Sequence, residues 1–238
     1  PTLTIADKFL GRFTFVNGSP PRLLDIASGQ PLDFRWSADA SHYGGEIYPV
    51  NDRYERIGLL ACHASLTALP QRPDCVVVAV PREGVEPVLE EAAALGVGGA
   101  VVFSSGFGEV RFPEWHEAQE RIARLAQRTG LRVLGPNCMG FVNQALRAGL
   151  TFIPDYGRMP HRLGPVGIVS QSGALGYAVA QAAERGAGFS HFFSAGNSAD
   201  IDVADLVSYL ADAPQCGAIA LILEGIRDAG RLLEAGER

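Results

Sequence analysis

Cys75-Val76-Val77-Val78-Ala79-Val80-Pro81 is the stretch that decides the fold. It is apolar at every position rather than at every second one, which suits a strand covered on both faces of a parallel sheet. Pro81 closes it, and Val85, Val88, Leu89, Ala92 and Leu95 then recur at helical spacing. The same unit returns downstream. Residues 98–104 read as a strand, 113–130 as a helix with Ile122, Leu125 and Ala126 on one face and Gly130 as its stop, and 131–134 as a strand. Upstream, 12–16 and 46–50 read as strands. The segment 143–164 holds Pro154, Gly157, Pro160 and Gly164 with no sustained period, so the chain is expected to cross between domains there. The rhythm then resumes: strand 166–170, helix 174–185, strand 189–194, helix 203–210, strand 218–223, and a helix from Asp228. The expectation is an α/β protein of two consecutive parallel-sheet domains, 1–145 and 146–238, the second incomplete at the C-terminus.

Composition removes several classes. In 238 residues, 47% are hydrophobic and 19% charged, too apolar for a disordered chain. The net charge of -6, with no cluster of Lys or Arg, gives no footprint for nucleic acid or an anionic membrane. No apolar run reaches the roughly 18 residues of a spanning helix, and the N-terminus lacks the plan of a secretory signal, so the expected address is the cytoplasm. Cys62, Cys75, Cys138 and Cys216 show no CxxC spacing, and His42, His63, His116, His161 and His191 show no metal-ligand spacing.

In open parallel sheets ligands sit beyond the carboxyl ends of the strands, so the loops after strands carry the chemistry. Ser170-Gln171-Ser172-Gly173 runs from an apolar strand into a helix, aiming free amides, the positive helix end and two hydroxyls at one point. It reads either as a phosphoryl site or as a helix capped by Ser172. Ser104-Ser105-Gly106-Phe107-Gly108 offers hydroxyls and amides at another strand end, or is a plain loop. Asn17-Gly18-Ser19-Pro20-Pro21 and Ser28-Gly29-Gln30 could hold a pyrophosphate, though they are not GxGxxG. Gly135-Pro136-Asn137-Cys138-Met139-Gly140 places an amide and a thiol at a strand end. A nucleophilic Cys138 would need a His partner that chain order does not suggest. Glu224 ends an apolar strand, as a site carboxylate or a cap. Asp200, Asp202 and Asp205 suggest a metal cluster or, more simply, acids at a helix start.

Taken in order, Gly45-Glu46-Ile47-Tyr48-Pro49-Val50-Asn51, Ser65-Leu66-Thr67-Ala68-Leu69-Pro70, Val78-Ala79-Val80-Pro81, Ser104-Ser105-Gly106-Phe107, Gly135-Pro136-Asn137-Cys138-Met139-Gly140, Val169-Ser170-Gln171-Ser172-Gly173-Ala174-Leu175-Gly176 and Ser194-Ala195-Gly196-Asn197 resemble the N-terminal half of NDP-forming acyl-CoA synthetases, relatives of the succinyl-CoA synthetase alpha subunit. The resemblance implies a CoA-binding Rossmann-like domain followed by a flavodoxin-like ligase domain. In that family a carboxylic acid, CoA and ATP interconvert with acyl-CoA, ADP and phosphate through an acyl phosphate and a phosphohistidine.

By the same resemblance Ser170, Gln171, Ser172 and Gly173 begin the helix that holds the phosphoryl group. Asn137 falls beside the thioester end of CoA, and Glu224 on the carboxylate that contacts the phosphohistidine. Gly18, Ser19, Gly29, Gln30, Pro81, Ser104 and Ser105 fall on loops that wrap CoA. The family's first-strand turn of Val-Gly-Ala-Ser type is replaced by Val16-Asn17-Gly18-Ser19-Pro20-Pro21, and no Ser-His-Thr-Gly loop occurs. The implied partner is therefore an ATP-grasp domain or subunit bringing ATP or ADP and Mg, in an oligomer. The rival reading is a CoA-sensing regulatory module of a protein acetyltransferase. An NAD oxidoreductase is disfavoured by the missing GxGxxG.

Overall fold

The computed structural model describes residues 13–17, 46–57, 60–144, 146, 148–151 and 162–237. Chain order runs β1 (Phe13–Asn17), β2 (Ile47–Val50), the short antiparallel pair β3 (Arg56–Ile57) and β4 (Leu60–Ala61), then β5 (Cys75–Ala79), α1 (Arg82–Ala94), β6 (Gly99–Val102), α2 (Pro113–Thr129) and β7 (Arg132–Leu134). The first sheet has the order β2-β1-β5-β6-β7, every pair parallel. The direction of winding reverses at β1, so the crevice between β1 and β5 is the switch point of this sheet. Gly130 ends α2 with φ 75°, the left-handed stop its position promised.

The second sheet comprises β8 (Gly140–Asn143), β9 (Ala148–Thr151), β10 (Leu163–Ser170), β11 (Phe189–Ser194) and β12 (Ala218–Ile222). Between them lie α3 (Gly173–Ala180), a 3-10 turn (Gln181–Arg185) and α4 (Val203–Ala211), and α5 (Ala229–Gly236) follows β12. The order is β12-β10-β11-β8-β9. The strands β10, β11 and β12 are parallel and reverse at β10, a second switch point between β10 and β12.

The second sheet is mixed and mostly parallel, in keeping with the expected parallel α/β domain: β8 and β9 join its edge antiparallel. The cause is where the chain enters. β8 starts at the carboxyl edge of the first sheet, with Gly140 opposite Ser194 at the end of β11, and so must run against β11. The passage between sheets thus falls between Leu134 and Gly140. The expected helix 174–185 also tightens into the 3-10 turn after Ala180.

The alternation of β5 explains its apolar run. Val76 and Val78 share a core with Val85, Leu89 and Ala92 of α1 and Ile122, Leu125 and Ala126 of α2. Cys75 and Val77 face the other way, into a core with Val101, Leu134, Val169, Phe193, Ile201 and the α4 side chains Val203, Leu206, Val207 and Leu210. The two sheets therefore share one core. Each fully buried Val contributes about 1.5–3 kcal/mol. A third cluster, with Ile168, Phe189, Phe192 and Ala180, fills the far face of the second sheet.

An ion-pair network crosses the same joint. Arg132 Nε of β7 lies 2.8 Å from Asp200 Oδ2, which also accepts from the Val133 amide. Arg231 of α5 binds Asp202 and Asp205, each at 2.6 Å. These three acids are taken up by arginines and by the α4 cap rather than arranged for a metal, and among the described residues no group of three or more His, Cys, Asp or Glu side chains could hold one.

Candidate active site at the joined strand ends

The carboxyl edges of the two sheets meet. After β7, Gly135 and Pro136 turn the chain through a cis peptide and Asn137 takes φ 55°, a conformation Asn tolerates. The Asn137 amide donates to Ser104 O at 2.9 Å, and Ser104 Oγ donates to Val80 O at 2.6 Å. Three strand ends of the first sheet, those of β5, β6 and β7, are thereby tied together. They bring Pro81, Ser104, Ser105 and Asn137, all expected from the sequence, to one edge. Gly18, Ser19, Gly29 and Gln30 lie outside the described residues.

The loop after β11 closes on this edge from the second sheet. Asn197 N donates to Pro136 O, Ala199 N to Gly135 O, and Met139 N to Ser194 Oγ, all at 2.9 Å. Only glycine fits at 196: φ is 57°, and a Cβ would stand 2.3 Å from Pro136 O.

Ser170, Gln171, Ser172, Gly173 and Glu224 gather at the switch point of the second sheet. Gln171 N donates to Ile222 O at 3.0 Å, and Gln171 Oε1 accepts from the amides of Glu224 at 2.7 Å and Gly225 at 3.0 Å. Gln171 thus latches the loop after β12 onto the loop after β10. The Glu224 carboxylate is exposed there. Ser170 Oγ is buried and turned to Ser172 O.

Ser172 occupies the N-cap of α3, but its side chain makes no capping hydrogen bond. That leaves the α3 amides without a side-chain acceptor. Such an end attracts an anion. Gly176 seats α3 against the sheet, since a Cβ there would stand 2.7 Å from Ser170 Cβ and 2.9 Å from Phe192. Gly173 in turn packs on Met139, so the Asn137 loop abuts the start of α3.

Cys138 is not a nucleophile in this setting. It is 1% exposed, donates toward Val102 O, and burial pushes its thiol up to about 12 despite the backbone hydrogen bonds around it. Cys75 is buried as well.

Three further residues complete the edge without having been assigned a role from sequence. Glu109 accepts from the amides of Gly106 and Phe107, Gln119 from the amide of Gly108, and Asn197 donates to both while accepting from Asn137. Burial pushes the Glu109 carboxyl up, but the hydrogen bonds from Asn197 and the loop amides outweigh it and hold the group below the usual carboxylate value.

Known proteins resemble this chain in sequence and fold. Residues 34–144 match the CoA binding domain family and residues 163–238 the succinyl-CoA ligase like flavodoxin domain. The chain is 37% identical over 198 residues to the alpha subunit of ADP-forming acetate-CoA ligase II of Pyrococcus furiosus, covering 83% of this chain and 42% of that protein. It is 36% identical to the ADP-forming acetate-CoA ligase of Methanocaldococcus jannaschii, over 78% of this chain and 26% of the relative. The ADP- and phosphate-bound structure of the dinucleotide-forming acetyl-coenzyme A synthetase 1 of Ca. Korarchaeum cryptofilum superposes with a TM-score of 0.82 at 29% identity, over 99% of this chain and 49% of that one. The chain spans less than half the length of each of these relatives. With a CoA-binding sheet and a succinyl-CoA ligase-like sheet meeting at their carboxyl edges, the chain belongs to the NDP-forming acyl-CoA synthetase family.

Proposed function

We propose that this chain is the CoA-binding and partial ligase portion of an ADP-forming acyl-CoA synthetase, which joins a carboxylic acid to CoA with ATP hydrolysed to ADP and phosphate. The observation that carries this reading is that two sets of residues gather at the abutting carboxyl edges of the two sheets, the second set at the β10–β12 switch point. The loops after β5, β6 and β7 offer Pro81, Ser104, Ser105 and Asn137 to CoA. The β10–β12 crevice offers the α3 amides to a phosphoryl group. The two edges abut through the 135–140 and 194–199 loops, so a thiol delivered on the first sheet would meet an acyl phosphate held on the second.

The chain's own contribution is positioning and electrostatics: the α3 dipole offsets charge on the phosphoryl oxygens, and Glu224 presents a carboxylate to a phosphohistidine. That histidine belongs to a Ser-His-Thr-Gly loop that this sequence does not contain, and an ATP-grasp domain or subunit supplies nucleotide and Mg. The relatives named for acetate make a small acid the first substrate to try.

Thermal unfolding with CoA, dephospho-CoA or NAD tests the reading. Ligand at 100 times its dissociation constant adds about 2.7 kcal/mol, a rise of roughly 5–10 °C for a chain of this size. A rise with CoA and none with NAD is expected; a cooperative transition that CoA leaves in place would sink the assignment.

A further inference from the structure

The hydrogen bonds around Asn137 have a direction, and that direction is set by backbone donors. Glu109 accepts from the Gly106 and Phe107 amides, at 2.5 Å and 3.0 Å, so the carboxylate faces its neighbours as an acceptor. Gln119 accepts the Gly108 amide at 2.9 Å, which fixes its oxygen end toward the same spot. Asn197 meets both of these acceptors with one atom, at 2.5 Å from Glu109 Oε2 and 2.9 Å from Gln119 Oε1. Only an amide nitrogen can stand there. Its oxygen must then face the other way, where it lies 3.2 Å from Asn137. The atom of Asn137 that meets it is therefore Nδ2. Asn137 Oδ1 is left pointing away from the network, on an exposed side chain, with no partner among the described residues.

We propose that Glu109, Gln119 and Asn197 are positioning residues that hold the Asn137 amide oxygen outward, so that Asn137 accepts a hydrogen bond from the thiol of CoA. The proposal rests on the CoA-binding reading above. It gives the loop after β6 a task beyond its own turn: the Glu109 carboxylate, two hydrogen bonds away, chooses which end of Asn137 the ligand meets. The loop that wraps the CoA chain and the second sheet, which supplies Asn197, both act on the residue that orients the sulfur. An S–H group is a weak donor, so the expected gain is about three- to tenfold in affinity.

Isothermal titration of the chain with CoA and with desulfo-CoA, which carries hydrogen in place of the thiol, separates this proposal from the reading beneath it. Wild type is expected to prefer CoA by that factor. Asn137→Ala and Asn197→Ala are expected to bind both ligands alike, at the affinity wild type shows for desulfo-CoA. The double variant Glu109→Ala/Gln119→Ala removes both acceptors that orient Asn197 and so releases the polarity; it keeps desulfo-CoA binding and loses most of the preference. It decides the matter if Asn197→Ala fails to fold. A wild type that binds neither ligand removes the CoA-binding reading and the proposal with it. Equal binding of both ligands by wild type, or an undiminished preference in Asn197→Ala and in Glu109→Ala/Gln119→Ala, overturns the positioning alone.

Discussion

Two adjacent strands of the second sheet, β10 and β11, each feed a helix, and the two helices begin in opposite ways. The first turn of α4 is satisfied by the protein itself: Asp202 and Asp205 form a reciprocal capping box, and Arg231 neutralises both acids. The first turn of α3 has Ser172 and Gly173 and no side-chain cap at all. A capped helix end is worth about 1 kcal/mol to folding. At α3 no side chain supplies that stabilisation, and in the proposed function a ligand anion takes the place of the cap; at α4 the cap also helps to join the sheets.

The largest expected effect tests how firmly the β11–α4 unit is built. His191 of β11 is 1% exposed, stacked on Phe193 and edge-on to Tyr209 of α4, and its Nδ1 has no hydrogen-bond partner. Burial pushes its imidazole down from 6.5 to about 4. Between those values the unfolded chain takes up a proton that the folded chain refuses. This contribution is complete above pH 6.5 and is lost as pH falls toward 4, on the order of 3 kcal/mol in all. Urea unfolding at pH 7 and pH 4.5 should show the loss in wild type and much less of it in His191→Phe. Equal losses in both would show that His191 does not carry it.

Next in size is the direct contrast of the two caps. Asp202→Ala should cost about 1–2 kcal/mol, since it removes a cap and one of the two carboxylates that bind Arg231, while Ser172→Ala should stay within about 0.5 kcal/mol. Calorimetric midpoints measured in phosphate-free buffer decide it, and comparable losses would erase the distinction between the helices. The smallest effect sharpens the comparison. Ser172→Asp gives α3 the cap it lacks and should add about 0.5–1 kcal/mol. Millimolar inorganic phosphate should stabilise wild type and leave the Ser172→Asp variant unchanged. A variant that still responds to phosphate would place the anion elsewhere.

The contrast also marks what could be read from the chain. The parallel core strands were legible because burial on both faces writes an unbroken apolar run, as in Cys75 to Ala79. The Ser170–Gly173 turn was legible because strand, turn and helix start are consecutive. β8 was not: Gly140-Phe141-Val142-Asn143 is short, and only its partner β11, some fifty residues on, makes it a strand. The network around Asn137 was hidden for the same reason, its members being 60, 78 and 88 positions from Asn197. Local pattern reports an element; it does not report which distant amides that element will meet.

The core shared by the two sheets bears on how such proteins can be rearranged in evolution. The face of the first sheet that carries Cys75, Val77, Val101 and Leu134 is finished by Ile201 and the α4 side chains, which chain order assigns to the second half. A gene fusion, fission or shuffling event that cut between the halves would leave each with a bare apolar wall. A descendant that kept one half alone would have to cover that wall with other apolar surface.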